Sequence, residues 1–513
     1  METKAGGGRT DGRLDWMRRI NLAGVAVLAL WFLLLPGLWL ARDLADPALR
    51  GPGGIPRVAW RVHKSLTPRY EAWARNRLAS GVAAHLNLYD VPSTEWPMFG
   101  SVFYLAATEA LQEEWERHPQ GPAPRDYARG AVEACADLIT DPVHHTWVRQ
   151  HWGDGYLHRE NVFFRAMLIQ GLTSYERLTG DRRHRALLAD QAETLAADLA
   201  ASPHGWLHDY PAECYPIDVF AAVWSIRRAD SVLGTDRSAF VTQALRAFSG
   251  PMLDSCGLPP YIGDPASGVP GGPSRGIGNS YVLIYAPELY PDVARQWYDA
   301  YVQNFWQNRI GAAGFREYPK GMPGHDWLMD QDSGPVMWGF SPSGNAFGVA
   351  AARANGRFDH AWPLSGQVLA AAWPLPDGGW LGPRILSSVS GQHAPLLGEA
   401  NLLFLLTRQP AAGVPLVTGG SLPPIVWGFF AFYLGLGGLL LFIVLRCWRR
   451  PFCGAVPLPR FQAFLWLGML ALAAGLWFSG LTLFAVAVLF PALCMPCTAR
   501  HSGKAPSACT LPS

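Results

Sequence analysis

The chain has 513 residues, half of them hydrophobic and only 16% charged, with a mean hydropathy of +0.07. Soluble proteins carry about 25% charged residues, so this deficit and the apolar runs at both ends exclude a wholly soluble protein. The 54 Gly and 42 Pro follow no period, which excludes collagen and coiled coils, and a net charge of +2 supplies no basic field for nucleic acid.

A basic tail at 1–19 (Lys4, Arg9, Arg13, Arg18, Arg19) precedes an uncharged run at 20–41. That run is long enough to cross about 30 Å of hydrocarbon. Bulky Trp31, Phe32 and Trp39, and the lack of a small-x-small cleavage site, favour an anchor over a cleavable signal peptide. Residues 43–422 then form one large domain. It is followed by an apolar run at 423–445, an Arg-bearing loop at 446–460, an apolar stretch at 461–497 and a tail at 498–513. The 461–497 stretch suits two tight spans turning at Phe478-Ser479-Gly480. Both tails and the 446–460 loop carry Arg or Lys, so the positive-inside rule puts all three in the cytoplasm. Four spans satisfy this, one N-terminal and three C-terminal. The expectation is a multi-pass bacterial inner-membrane protein with 43–422 outside the cytoplasm and the lipid bilayer as a partner.

Within 43–422, short polar, aromatic or Gly/Pro-rich stretches introduce helical segments. They end near Glu95, Glu160, Ile217, Asn279, Ser333 and Ala394, 54–65 residues apart. Six units of two helices each are a repeat signature. The introduced helices are apolar on most sides, as buried helices are. Those at 124–140, 183–201, 235–249 and 290–308 are amphipathic. Buried inner and amphipathic outer helices predict an all-α (α/α)6 toroid, with an irregular all-α domain as the alternative. Gly339 and Pro342 interrupt the fifth unit. Only Cys135, Cys214 and Cys256 lie in the domain, too few for a disulfide framework, so a packed core must hold it.

In such a toroid the loops before the inner helices meet at one mouth. Asp90 and Glu95 stand at the first, beside Trp96 and Tyr104, where aromatic burial would raise a carboxyl pKa; helix capping is the plainer role. His158, Arg159, Glu160 and Asn161 form the second group, more polar side chains than a cap needs. The third runs from Tyr210 through Glu213, Cys214 and Tyr215 to Asp218. Asp218 suits a cap, while a cysteine before a helix N-terminus is expected to lose pKa. Asp326, Asp330 and Asp332 form the fourth. Spacing argues against a metal: no Glu follows His204 and His208 in register, and Ser341 holds the last position of a calcium loop starting at Asp330.

The segment Glu213-Cys214-Tyr215-Pro216-Ile217-Asp218-Val219-Phe220 resembles the Cys-x-Pro-x-Asn/Asp-x-Phe element of the linalool dehydratase/isomerase family. The resemblance implies an (α/α)6 barrel over roughly 85–410. It also implies a cofactor-independent lyase/isomerase acting on an isoprenoid alcohol, with Cys214 as the active-site cysteine. The family enzyme has a second cysteine shortly after the first, whereas here the next is Cys256, 42 residues on. The expected chemistry is acid/base addition or removal of water at a small apolar alcohol. Asp90 or Glu95 would protonate the hydroxyl, and Cys214, with His158 or Glu160, would take the proton. Fifteen Trp between Trp60 and Trp380 suit a cavity that shields a carbocation. A glycan-active enzyme of the same fold and a non-catalytic membrane assembly protein are the alternatives.

Overall fold

The computed structural model describes residues 8–86, 91–390, 394–449 and 460–478, with a few positions between 485 and 493. It is mostly helical and divides into two units, one of residues 1–38 and 430–513, the other of residues 39–429. Asp90 and the turn expected at Ser479-Gly480 lie outside the described residues.

In the first unit the Gly8–Ala29 helix packs on Gly437–Arg449, and the π-helical turns Leu30–Leu34 and Ala431–Leu436 pack on each other. Among the described residues two helices are long and apolar enough to cross a membrane, Arg18–Leu44 and Pro424–Arg449. Val27, Leu439, Phe442 and Leu445 stand exposed on them, where a water-soluble surface would be polar. Arg460–Phe478 is also helical.

The second unit is built on six helices that are buried on most sides: Val91–Arg117, Val162–Thr179, Pro216–Leu233, Gly276–Leu289, Pro342–Ala354 and Leu397–Thr407. Each packs on the next in chain order, and the last packs back on the first. The helices between them differ in kind. Pro291–Phe305 buries only Ala294, Trp297, Tyr298, Tyr301 and Phe305, a single stripe at helical spacing. Local chemistry sets the boundaries. Pro216 and Pro291 sit at first positions that need no backbone donor, and Gly234, at φ 72°, closes the 216–233 helix in the left-handed region.

The fifth unit departs from expectation. Pro342 does not interrupt its helix but begins it, with the Ser341 hydroxyl accepting from the Gly344 amide at 3.1 Å. The stretch before it forms a two-stranded hairpin, Trp327–Asp330 with Gly334–Met337. The other strands, Gly263–Asp264 with Val269–Pro270 and Trp306–Arg309 with Ala312–Phe315, are likewise short hairpins in connections.

Glu109 joins three of the buried helices. From the 91–117 helix it pairs with Arg177 at 2.7 Å, accepts from the Ser174 hydroxyl at 2.7 Å and pairs with Arg228.

Candidate functional site

The loop between the second and third buried helices organises the site. Tyr210 and Glu213 bridge across a tight turn in which Pro211 precedes Ala212 at φ 70°. That position of a type II turn normally takes Gly. Ala212→Gly is expected to raise stability by about 0.5–1 kcal/mol, the relief of a left-handed Cβ less the added chain entropy. A thermal melt checks this, and an unchanged or lower Tm would show the turn to be unstrained.

Asp209, just before the turn, is buried and ties the starts of two helices together. Its carboxylate accepts from the Phe163 amide at 2.9 Å and from the Tyr215 amide at 2.7 Å. It thereby fixes the first turns of the 162–179 and 216–233 helices against each other. Burial, and then the charge of Asp218, push its pKa well up, opposed by the two amides. Asp218 lies in the first turn of the 216–233 helix. Burial, then Glu95 and Asp332, push it up to about 8. Glu95, on the 91–117 helix, receives the Tyr210 hydroxyl. Burial raises Glu95 to about 7; the Tyr210 hydrogen bond opposes the rise, and Asp332 and Glu213 add to it. Asp209, Asp218 and Glu95 are thus raised together, because each is buried and feels the charge of its neighbours.

Aromatic hydroxyls edge the group. Tyr261 donates to Asp332 at 2.6 Å, Tyr215 donates to Glu213 at 3.0 Å, and the two rings meet edge to face at 5.6 Å. Tyr281, almost wholly buried, is raised by burial and also senses Asp218 and Asp209. Arg275 stands behind Asp332, 3.9 Å from it, over the Tyr261 ring, and pairs with Glu317 at 2.9 Å and with Asp330 at 2.8 Å. Burial pushes Glu317 up to about 7 against the pull of Arg275 and Ser341. Gly276 begins its helix so close to the Arg316 carbonyl that a Cβ would lie 2.1 Å from the oxygen. No larger residue fits there without moving this corner.

Several expected residues lie elsewhere or act otherwise. The Cys214 thiol is buried and its pKa is raised, first by desolvation and then by Asp209, Asp218 and Glu160. The helix-dipole expectation fails because burial among carboxylates outweighs the dipole, and a thiol held protonated cannot take up a proton. His158 is exposed and pairs with Asp190 at 3.1 Å. Glu160 accepts from the His208 amide at 2.6 Å and from its ring at 2.7 Å. Asn161 is buried in the left-handed region at φ 41° without capping its helix, because Asp209 does so from outside. Tyr104 belongs to the core: it bonds Thr67 at 2.8 Å and stacks on His63 and Tyr70. Asp326 is held by Arg309 and Arg316, each at 2.7 Å. Trp96, next to Glu95, is half-buried. Among the described residues no three His, Cys, Asp or Glu side chains are grouped to hold a metal ion.

The sequence reading missed Asp209, Tyr261, Arg275 and Glu317. Asp209 adjoins the stretch it singled out, but its role depends on two helix ends that only the fold brings together. No family model matches the chain, and no curated protein is significantly similar to it.

Proposed function

We propose that residues 39–429 form an (α/α)6 toroid carried by a multi-pass membrane protein, and that the toroid adds or removes water at an apolar, isoprenoid-type alcohol. The succession of six buried helices that returns to its start supports the toroid. One observation carries the chemistry: Glu95 and Asp218, on different helices, hold protons near neutral pH beside Glu213 and Asp332. An acid with a pKa near the working pH is an effective proton donor. In this reading Glu95 or Asp218 protonates the substrate hydroxyl, the C–O bond breaks and water leaves. Glu213 or Asp332 then removes a proton from the neighbouring carbon, and that electron pair closes the double bond. The rings of Tyr215, Tyr261 and Tyr281 face the developing cation. Cys214 packs the wall as a neutral thiol, a different role from the one the family resemblance implies.

Glycoside hydrolysis is the second reading, favoured by the same pair of carboxyls and by the Tyr215–Tyr261 edge. The full chain in detergent, incubated separately with isoprenoid alcohols and with chromogenic glycosides, separates the two. Alkene and water from the alcohol support the first. Sugar release alone would replace it with the second, and turnover of neither would leave a binding protein.

We further propose that the domain lies outside the cytoplasm, from the Arg and Lys in the tails and the 446–460 loop. Reporter fusions after residue 50 and at 421 are expected to read periplasm, and those at 455 and 510 cytoplasm. A cytoplasmic reading at 421 would reverse the orientation.

A further inference from the structure

A surface hairpin normally turns polar residues outward and apolar ones inward. The Trp327–Asp330/Gly334–Met337 hairpin is apolar on its outer face as well as its inner one. Trp327 and Met329, alternate residues on one face, are 57% and 80% exposed, and Met337, paired with Trp327, is 44% exposed. Trp338 packs edge to face on Trp327, with 4.4 Å between ring centres. Between Trp327 and Met337 on the strands, Leu328, Asp330 and Val336 are the more buried set.

The neighbouring hairpin, Trp306–Arg309/Ala312–Phe315, is tied to this one. Gln307 donates to the Trp338 carbonyl at 2.9 Å, and Arg309 pairs with Asp326 at 2.7 Å. Its tip exposes Ile310, and the next carbonyl, Gly311, accepts from the Ile425 amide at 2.9 Å. Ile425 lies in the first turn of the helix with which the apolar run Pro424–Arg449 begins. The hairpin tip therefore rests where that run starts.

We propose that the two hairpins form a shelf that lies in the interface of the lipid bilayer. The proposal rests on the reading of Pro424–Arg449 as a membrane span. Three observations choose the bilayer as occupant: the outward set is Trp, Met and Ile, Trp being the residue most at home at the membrane interface; it adjoins the start of the apolar run; and it is open to solvent. The inner side of the same hairpin leads to the site. Asp330 holds Arg275 at 2.8 Å, and Asp332, in the turn, receives the Tyr261 hydroxyl at 2.6 Å.

The test uses the full chain in lipid nanodiscs, with an environment-sensitive fluorescent amino acid placed in turn at Met329, Trp427 and Glu193. Met329 is so exposed that its replacement removes little packing. Trp427 reports on the span itself, and Glu193, 75% exposed on another helix, serves as the aqueous reference. Lipids brominated on the acyl chain quench only probes that reach the hydrocarbon boundary. Quenching of roughly two-fold at 329 and 427, with none at 193, is the expected result. Quenching at 427 but not at 329 would overturn the shelf and leave the span standing. Quenching at neither would overturn both.

Discussion

Glu95→Gln is expected to lower turnover roughly 10²–10⁴-fold, the usual contribution of a positioned acid or base, and Asp218→Asn to do the same. Gln keeps the shape of Glu95 and still accepts from Tyr210, but it has no proton to give. Wild-type activity should fall as the pH rises through about 7 to 8, where Glu95 and Asp218 ionise. Stability supplies an independent readout. The native state holds the Glu95 proton more tightly than the unfolded chain, raising its pKa from 4.5 to about 7. Its contribution is therefore complete below pH 4.5 and is lost as the pH rises through 7. Glu95→Gln should leave stability unchanged near pH 4 and raise it by about 3 kcal/mol at pH 8, measured by denaturant unfolding. Full turnover in this variant would remove Glu95 from the chemistry. An unaltered pH dependence of stability would show that its carboxyl is ionised without cost.

Glu109→Leu is expected to destabilise the domain by about 3–5 kcal/mol, because it leaves Arg228 and Arg177 without their buried partner. Burial opposes ionisation of Glu109, yet Arg228 and Arg177 hold its pKa below the usual range. Its contribution is accordingly present above pH 4.5 and lost as the pH falls. The loss should be cooperative across three helices, since Glu109, Ser174 with Arg177, and Arg228 come from successive members of the buried set. Removing the opposing charge as well, in Glu109→Leu with Arg228→Met, should recover much of the loss. A double mutant no more stable than Glu109→Leu alone would show that packing, not the uncompensated charge, sets the cost.

Much of the helical framework was legible because burial imposes a pattern on sequence. The helices expected near residues 95, 160, 217, 279 and 394 begin at Val91, Val162, Pro216, Gly276 and Leu397. The amphipathic ones expected at 183 and 290 begin at Arg185 and Pro291. The fifth unit was misread because Pro342 has opposite meanings inside a helix and at its first position, and only the Ser341 cap decides between them.

The site was legible only in part. Tyr210, Glu213, Tyr215, Glu95 and Asp332 stood out as polar groups near helix starts, and the structure does place their charges within reach of one another. It does not place His158 or Tyr104 there, and it reverses the expected ionisation of Cys214. Composition and periodicity by themselves determined that the chain is largely helical, has apolar runs long enough for a membrane, and alternates buried with amphipathic helices. Those properties depend on residues close in sequence. Only the tertiary structure decided which carboxyls sense one another's charge, that Asp209 ties two helix starts together, and that burial raises the pKa of a thiol at a helix start. A pKa depends on desolvation and on charges from distant segments, and no local pattern records which segments those are.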